Sequence, residues 1–283
     1  MREKHPNIKT LNVGLIGCGA IGTTLAEAID DGRAGKIKLI IVHDSIIQRS
    51  KNLIRRLSKK PKIAKNPEQL IKNKNVDLII EAASQDAVRQ YAEKVLRADK
   101  DLMIMSVGAL VDYKLFRRVR SLAEKTGRRI YVPSGAIAGL DGVRAAAIGK
   151  INEVILTTRK PPKGLKDAPF IQQEKIDLDA VSVAKKIYEG PALEACKLFP
   201  NNVNVAAALS LAGIGPERTI VRMVADPGIS RNIHEISVRG EFGELKVRVE
   251  NVPSPENPKT SYLAAVSAIA SLRKITENVL VGT

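Results

Sequence analysis

Three glycines near the start of the chain have the spacing of a phosphate-binding turn. From residue 13 the sequence reads VGLIGCGAIG, so Gly17, Gly19 and Gly22 form G-x-G-x-x-G between an apolar run and a helical pattern. The first glycine permits a tight turn, the second lets the backbone approach a pyrophosphate, and the third lets the helix pack on the strand. The helix N-terminus, with Ala20 and Ile21, favours the anion through its free N–H groups and its dipole. The motif predicts a dinucleotide-binding site.

An acidic residue follows the glycines at the distance such a site requires. Asp44 ends the second apolar run, about 20 residues beyond the motif, where a carboxylate can accept both ribose hydroxyls. The same carboxylate repels a 2′-phosphate, so NAD is the first choice, while Arg49 and Lys51 leave NADP open. A helix N-cap before Ile47 is the structural alternative for Asp44.

His234 is the candidate proton carrier. Of the 3 histidines, His5 lies in a polar terminus and His43 directly precedes Asp44, whereas His234 lies in an alternating pattern that predicts a strand. Imidazole titrates near about pH 6.5. It suits the oxidation of an alcohol or amine, in which a hydride leaves carbon and a proton leaves the heteroatom. A strand histidine that faces solvent is the alternative.

The elements that position these residues form two groups, and the first is an alternation of strands and helices. The apolar runs are continuous, as expected of parallel strands covered on both faces. Strands are predicted over 11–17, 37–43, 76–83, 102–107 and 129–132, and helices over 21–29, 47–57, 87–96 and 113–125. Ligands of such sheets lie at the carboxyl ends of strands. We therefore expect five further residues to border the cofactor: Ala82, Ala83, Ser84, Ser106 and Gly108.

Beyond residue 133 the pattern changes. A strand is predicted over 151–160, helices over 179–188 and 202–212, alternating strands over 218–224, 232–239 and 244–252, and a last helix over 261–276 that returns to the first domain. The predicted fold is α/β: an N-terminal Rossmann domain and a second α+β domain on a mostly antiparallel sheet. Residues 10–133 with 259–283 would form the dinucleotide-binding domain, and 134–258 the substrate, catalytic and dimerisation domain.

Composition narrows the class of protein. The chain of 283 residues has 46 Lys+Arg against 30 Asp+Glu, a net charge of +16, which invites a nucleic-acid interpretation. Aromatic residues make up only 3%, too few for base-stacking platforms, so no nucleic-acid partner is expected. Two cysteines are too few for a disulfide framework or a zinc site, and no metal is expected. No apolar run reaches the ~18 residues of a membrane span, and we expect a soluble, cytoplasmic protein.

Several segments of the second half resemble the L-aspartate dehydrogenase family, and the match is collinear from Leu11 onward. They are SGAIAGLD at 134–141, TRKP at 158–161, FPNNVNVAA at 199–207, NIHE at 232–235, NVPS at 251–254 and NPKTS at 257–261. These motifs are far more specific than the glycine loop. The chain departs from the family at Ala138, where relatives carry glycine, which matters only if that backbone needs a positive φ.

The resemblance implies oxidation of L-aspartate to iminoaspartate with NAD or NADP. The imine then hydrolyses to oxaloacetate and ammonia, or is passed to quinolinate formation in NAD biosynthesis. The family's active-site histidine corresponds to His234, and its cofactor-contacting alanine and asparagine correspond to Ala136 and Asn204. Asn204 otherwise reads as a helix N-cap. A homodimer through the antiparallel sheet is expected from the family and from the prevalence of two-fold homo-oligomers.

A dicarboxylate substrate needs positively charged donors. Arg159, Lys160 and Lys163 at the end of a predicted strand are the candidates, with a solvated loop as the alternative. A positive cleft would also concentrate an anionic cofactor and substrate.

Two other interpretations remain open at this level. One keeps the architecture and changes the substrate, as in a homoserine-dehydrogenase-like or dihydrodipicolinate-reductase-like oxidoreductase. The other is an NAD-sensing, nucleic-acid-binding protein, which only the basic balance supports.

Overall fold

The computed structural model of the chain describes residues 10–200, 204–254 and 260–282. The described chain divides into two compact units. The first contains the residues up to Ser106, Lys114–Pro133 and Ala265–Val281, and the second contains Val107–Tyr113 and the described part of Ser134–Ala264. The prediction that 107–113 belongs to the first domain is therefore wrong, as is a C-terminal return that begins at residue 259.

The first unit is built on a parallel sheet. Among the described residues its six strands are β1 (Leu11–Ile16), β2 (Ile37–His43), β3 (Lys62–Ile63), β4 (Leu78–Glu81), β5 (Asp101–Ile104) and β6 (Ile130–Tyr131). They lie in the order β3-β2-β1-β4-β5-β6, and every pairing is parallel. This is the Rossmann order, with the change of direction beside β1. The sheet therefore brings the ends of β1, β2, β4 and β5 to one edge.

Helices complete this unit: α1 (Ala20–Asp30), α2 (Ile47–Arg56), α3 (Pro67–Ile71), α4 (Gln85–Arg97) and α5 (Tyr113–Thr126). The side chain of Ser84 caps α4 by accepting from the N–H of Ala87. A C-terminal helix over Tyr262–Ile275 adds Ala268, Ile269 and Leu272 to the buried core formed by β1, β2 and α1.

The second unit contains a mixed sheet. Its strands among the described residues are β7 (Ile151–Lys160), β8 (Lys185–Pro191), β9 (Thr219–Ala225), β10 (Asn232–Gly240) and β11 (Gly243–Asn251), in the order β11-β10-β7-β9-β8. Only β7 and β9 pair in parallel, so the sheet is mostly antiparallel as predicted. The helices are α6 (Leu140–Ala146), α7 (Pro169–Gln173), α8 (Ala192–Leu198) and α9 (Asn204–Ala212), and the C-terminal helix is α10.

Three details of this half differ from the prediction. The helix predicted over 179–188 is wrong, because β8 begins at Lys185 and pairs with β9. The apolar residues there are too few to distinguish the helical from the strand period, and the neighbouring strand decides. The helix α8 was not predicted. Asn202 and Val203, the predicted start of α9, and residues 257–259 of the last family motif lie outside the described residues.

The segment 107–113 belongs to the second unit because of what it packs against. Val107–Val111 forms a 3-10 helix whose residues are all buried. The N–H of Gly108 donates to the side-chain oxygen of Asn204 at the start of α9, at 3.0 Å. The predicted strand over 102–107 thus ends at Ile104.

Strand alternation gives the mixed sheet two chemically different faces. On β7, Val154, Leu156, Thr158 and Lys160 are buried. Helices cover this inner face, since Gly213 after α9 lies against side chains of α6 and β7. The opposite, outer face carries ion pairs between neighbouring strands, such as Arg159 with Glu235. In the part of the chain that the structure describes, no helix has the length and apolar character needed to cross a bilayer.

Candidate active site

The glycine loop shows why each of its glycines is needed. Gly17 has a φ of +98°, and a Cβ there would lie 2.4 Å from the carbonyl oxygen of Ala82. A Cβ on Gly22 would lie 2.0 Å from the carbonyl oxygen of Gly17. A Cβ on Gly19 would meet no protein atom within 4 Å. Packing therefore explains Gly17 and Gly22, whereas open space at Gly19 fits the close approach of a ligand.

Asp44 lies beside this loop and is 8% exposed. Its Oδ2 accepts from the N–H of Cys18 at 2.8 Å, and its Oδ1 accepts from the N–H of Ile46 at 2.8 Å. The N-cap of α2 is Ile46, without a side-chain cap, so the N-cap alternative for Asp44 does not hold. A carboxylate has about four acceptor positions, so each oxygen keeps capacity for a ribose hydroxyl.

A buried carboxylate that sequence reasoning missed organises the two other predicted cofactor loops. Glu81, at the end of β4, is 3% exposed. Its Oε1 accepts from the N–H groups of Ala83 and Ser84 at 2.8 and 2.9 Å. Ser106 donates its N–H to Oε2 at 3.0 Å and its hydroxyl to Oε1 at 2.8 Å. Burial raises the pKa of Glu81, which these donors oppose. Only its position at a strand end could have signalled this role.

The remaining predicted cofactor residues, Gly108, Ala136 and Asn204, lie in the second unit. Asn204 and Gly108 are joined by the hydrogen bond described above. The carbonyl oxygen of Ala136 accepts from Nδ2 of Asn251 at 3.0 Å. Ala138 has no positive φ, whereas the next residue, Gly139, has a φ of +78°, so the departure from the family pattern is harmless to the backbone.

His234 lies on the inner face of the mixed sheet and is 3% exposed. It pairs with Thr158 across β10 and β7, and Thr158 Oγ1 lies 3.0 Å from His234 Nδ1. Burial and the nearby positive charge of Lys160 lower the pKa of His234 to about 3. The imidazole is therefore neutral at physiological pH, and Thr158 fixes its orientation. The alternative of a solvent-facing histidine does not hold.

The three candidate substrate ligands separate in the structure. Lys160 is buried on the same face as His234, and burial lowers its pKa to about 8. Arg159 points to the outer face, where its Nε donates to Glu235 at 3.1 Å and its Nη1 lies 3.9 Å from Asp226. Lys163 is exposed on the 3-10 turn Pro162–Gly164. Of the three, only Lys160 is brought together with His234.

Relatives of known name settle the family. The chain is 50% identical over 273 residues to the L-aspartate dehydrogenase of Methanosarcina barkeri, a match that covers 96% of this chain and 100% of the relative. It is 43% identical over 272 residues to the L-aspartate dehydrogenase of Nitrosopumilus maritimus, covering 96% and 99%. The chain belongs to the L-aspartate dehydrogenase family.

Family models and a solved structure agree with this assignment. The family model "Aspartate dehydrogenase, C-terminal" matches residues 141–275, and "Homoserine dehydrogenase, NAD binding domain" matches 17–133. The crystal structure of aspartate dehydrogenase from Thermotoga maritima has a TM-score of 0.76 at 27% identity, covering 97% of this chain and 100% of that one. These findings confirm the predicted family, the α/β fold and an oxidoreductase that binds NAD or NADP. The roles of individual site residues stay predictions.

Proposed function

We propose that this chain oxidises L-aspartate to iminoaspartate, with NAD or NADP as the hydride acceptor. The observation that carries the proposal is the inner-face arrangement of a neutral His234, the Thr158 hydroxyl that orients it, and the buried Lys160. An amino dicarboxylate needs a base at its nitrogen and a cation at a carboxylate, and this arrangement offers both.

His234 acts as the general base. When Nδ1–H donates to Thr158 Oγ1, Nε2 keeps its lone pair to accept a proton from the substrate ammonium, or from the water that attacks the imine. The positive charge of Lys160 weakens His234 as a base in the free protein. A substrate carboxylate bound at Lys160 offsets that charge, so substrate binding itself makes His234 more basic.

Lys160 holds a substrate carboxylate. Its ammonium is withdrawn from water, where an ion pair is stronger than at the surface. Arg159 already pairs with Glu235 and faces away from His234, so it is not part of this proposal. Lys163 is the less favoured candidate for the second carboxylate because its side chain is exposed.

The first unit fits the dinucleotide. The open space at Gly19, the N-terminus of α1 and the Asp44 carboxylate would hold its pyrophosphate and ribose. Ala20, Ile21 and the strand-end residues tied to Glu81 would border it. Bound NAD or NADP supplies the acceptor for the hydride that leaves the substrate Cα.

The product sets the wider role. Iminoaspartate hydrolyses to oxaloacetate and ammonia, and we propose that part of it feeds NAD biosynthesis. The homodimer through the mixed sheet and the cytoplasmic location stay predictions from the sequence.

A steady-state assay tests the proposed activity. Purified protein is mixed with L-aspartate or L-homoserine and with NAD or NADP, and in reverse with oxaloacetate and reduced cofactor, with and without ammonia. The proposal expects formation of reduced cofactor from L-aspartate and ammonia-dependent oxidation in reverse. Turnover of homoserine alone would instead favour the second interpretation, for which the family model over residues 17–133 is the one specific observation.

A further inference from the structure

Asn251, the last residue of β11, has a side-chain atom without a partner. The residue is 2% exposed, and its Nδ2 donates to the carbonyl oxygen of Ala136 at 3.0 Å. Among the residues that the structure describes, its Oδ1 is the buried side-chain atom that lacks a hydrogen bond. A buried acceptor left unpaired is costly, so such an atom in a native fold requires an explanation.

The orientation of the amide follows from its neighbour. The Ala136 carbonyl oxygen can only accept, so the Asn251 atom beside it must be the NH₂ group. Rotating the amide would place two acceptors against each other. Oδ1 is therefore held away from Ala136 and fixed in place by the bond on the other side of the amide.

The strand register places this acceptor beside the proposed base. His234 pairs with Val249, and Asn232 pairs with Asn251. Since every second residue shares a face, Asn251 lies on the inner face with His234, as its diagonal neighbour across the two strands. Lys160 lies on the same face, one residue beyond the Arg159–Ile233 pair of β7 and β10. This end of the sheet thus offers a cation, a base and an unused acceptor.

The chemistry of these groups identifies the ligand atom. Lys160 can only donate, which matches a carboxylate, and Asn251 Oδ1 can only accept, which requires an N–H or O–H donor. We infer that Asn251 Oδ1 accepts a hydrogen bond from the substrate's amino nitrogen, so that the site recognises an amino acid rather than a plain dicarboxylate. This inference rests on the proposed function. His234 is as deeply buried as Asn251, so a substrate that reaches the base also reaches this acceptor.

The experiment compares two ligands that differ at the nitrogen. L-Aspartate carries the ammonium and succinate lacks it, and neither reacts with the enzyme–NADH complex. Their dissociation constants are measured by calorimetry or NADH fluorescence for wild type, Asn251→Ala, Asn251→Leu and Asn251→Asp. Loss of the bond to Ala136 affects both ligands, so the ratio of the two constants isolates the contact with nitrogen. Leu fills the space of Asn and guards against collapse of the Ala variant.

The expected result is a loss of the preference for aspartate over succinate by about 10-fold in the Ala and Leu variants, because a hydrogen bond to a charged group is lost. Asn251→Asp keeps an acceptor at Oδ1 and should retain or increase the preference. Thr157→Val, an isosteric change on the outer face of β7, should leave the ratio unchanged.

An unchanged ratio in Asn251→Ala or Asn251→Leu would overturn the inference and assign Oδ1 to a structural water. Weaker NADH binding with an unchanged ratio would likewise overturn it and assign Oδ1 to the nicotinamide amide. If wild type forms no reduced cofactor from L-aspartate, the proposed function and this inference fail together. If wild type is active and only the ratio fails to move, the inference alone is wrong.

Discussion

His234 is buried and neutral, which distinguishes it from a histidine that titrates in water. Its pKa of about 3 in the free protein follows from burial and from Lys160 on the same face. The acid side of the pH profile of kcat/KM should therefore lack a transition near about pH 6.5, the value of an exposed imidazole. The two residues act as a coupled pair, because the carboxylate that binds one changes the basicity of the other.

Replacing His234 by alanine should lower kcat by about 10²–10⁴-fold, the usual contribution of a general base. The NADH dissociation constant should stay within about two-fold of wild type, because the proposed role concerns the substrate nitrogen. Thr158→Val removes only the bond that orients the ring and should cost less. Stopped-flow and steady-state rates measure these effects. Retained turnover in His234→Ala would remove His234 from the mechanism.

The protonation state of Lys160 should control carboxylate binding. Its pKa of about 8 means that the side chain is charged below this pH and neutral above it. Affinity of the enzyme–NADH complex for succinate should therefore be highest below pH 8 and fall as the pH rises through it. Lys160→Arg keeps the charge and should flatten the profile. Arg159→Ala is the matched control, and equal weakening in that variant would contradict the assignment to Lys160.

At the scale of elements, the turn between β1 and α1 separates packing from binding. Gly17 and Gly22 are required by the backbone around them, whereas Gly19 faces open space with an ordinary negative φ. The same sequence motif therefore contains residues needed for two different reasons.

Gly19→Ala should fold with near wild-type stability and lose at least about 10-fold in NADH affinity, because the new methyl group enters the space a pyrophosphate would approach. Gly22→Ala is the contrast, since its Cβ would lie 2.0 Å from a backbone oxygen and must displace α1. Thermal unfolding and fluorescence titration measure the two effects. NADH affinity unchanged in Gly19→Ala would mean that the loop is only structural.

Glu81 links the loops after β4 and β5, and its loss should be felt in both stability and cofactor binding. Glu81→Gln places an NH₂ group among N–H donors, and each donor left unpaired costs about 1–3 kcal/mol. Glu68→Gln removes one exposed ion pair with Lys94 and should cost at most about 1 kcal/mol. Denaturant unfolding compares the two. Equal effects would show that the buried carboxylate has no special role.

At the scale of the whole molecule, the net charge of +16 contains many paired cations. On the outer face of the mixed sheet, Arg239 pairs with Glu153 and Glu244, and Arg248 pairs with Glu235. Such exposed pairs contribute little individually, about 0–1 kcal/mol each. They extend over a strand surface as well as the helix faces expected from the sequence.

The excess charge should give only weak, salt-sensitive retention of nucleic acid. Affinity that depends on phosphate neutralisation falls steeply with salt, and the 3% aromatic content offers little stacking. We expect DNA retardation to disappear at physiological salt while aspartate oxidation continues. Retardation that persists above physiological salt, without dehydrogenase activity, would support the sensor interpretation instead.

The sequence by itself determined the first unit and the family. The strands and helices around Gly17, Gly19, Gly22 and Asp44 follow from local periodicity and turn chemistry, which depend on neighbouring residues. The family motifs likewise identified His234 without a structure. In the second half the short apolar runs were ambiguous, and the segment at 179–188 was predicted as a helix where β8 begins at Lys185.

Only the tertiary structure decided which side chains meet. Arg159 and Lys160 are equal candidates in the sequence, but the pleat directs one to the outer face and the other towards His234. Glu81 and Asn251 gained their roles from partners far along the chain, at Ser106 and Ala136. Which residues become partners depends on strand register and burial, which are set by pairing between distant segments and leave no periodic pattern to detect.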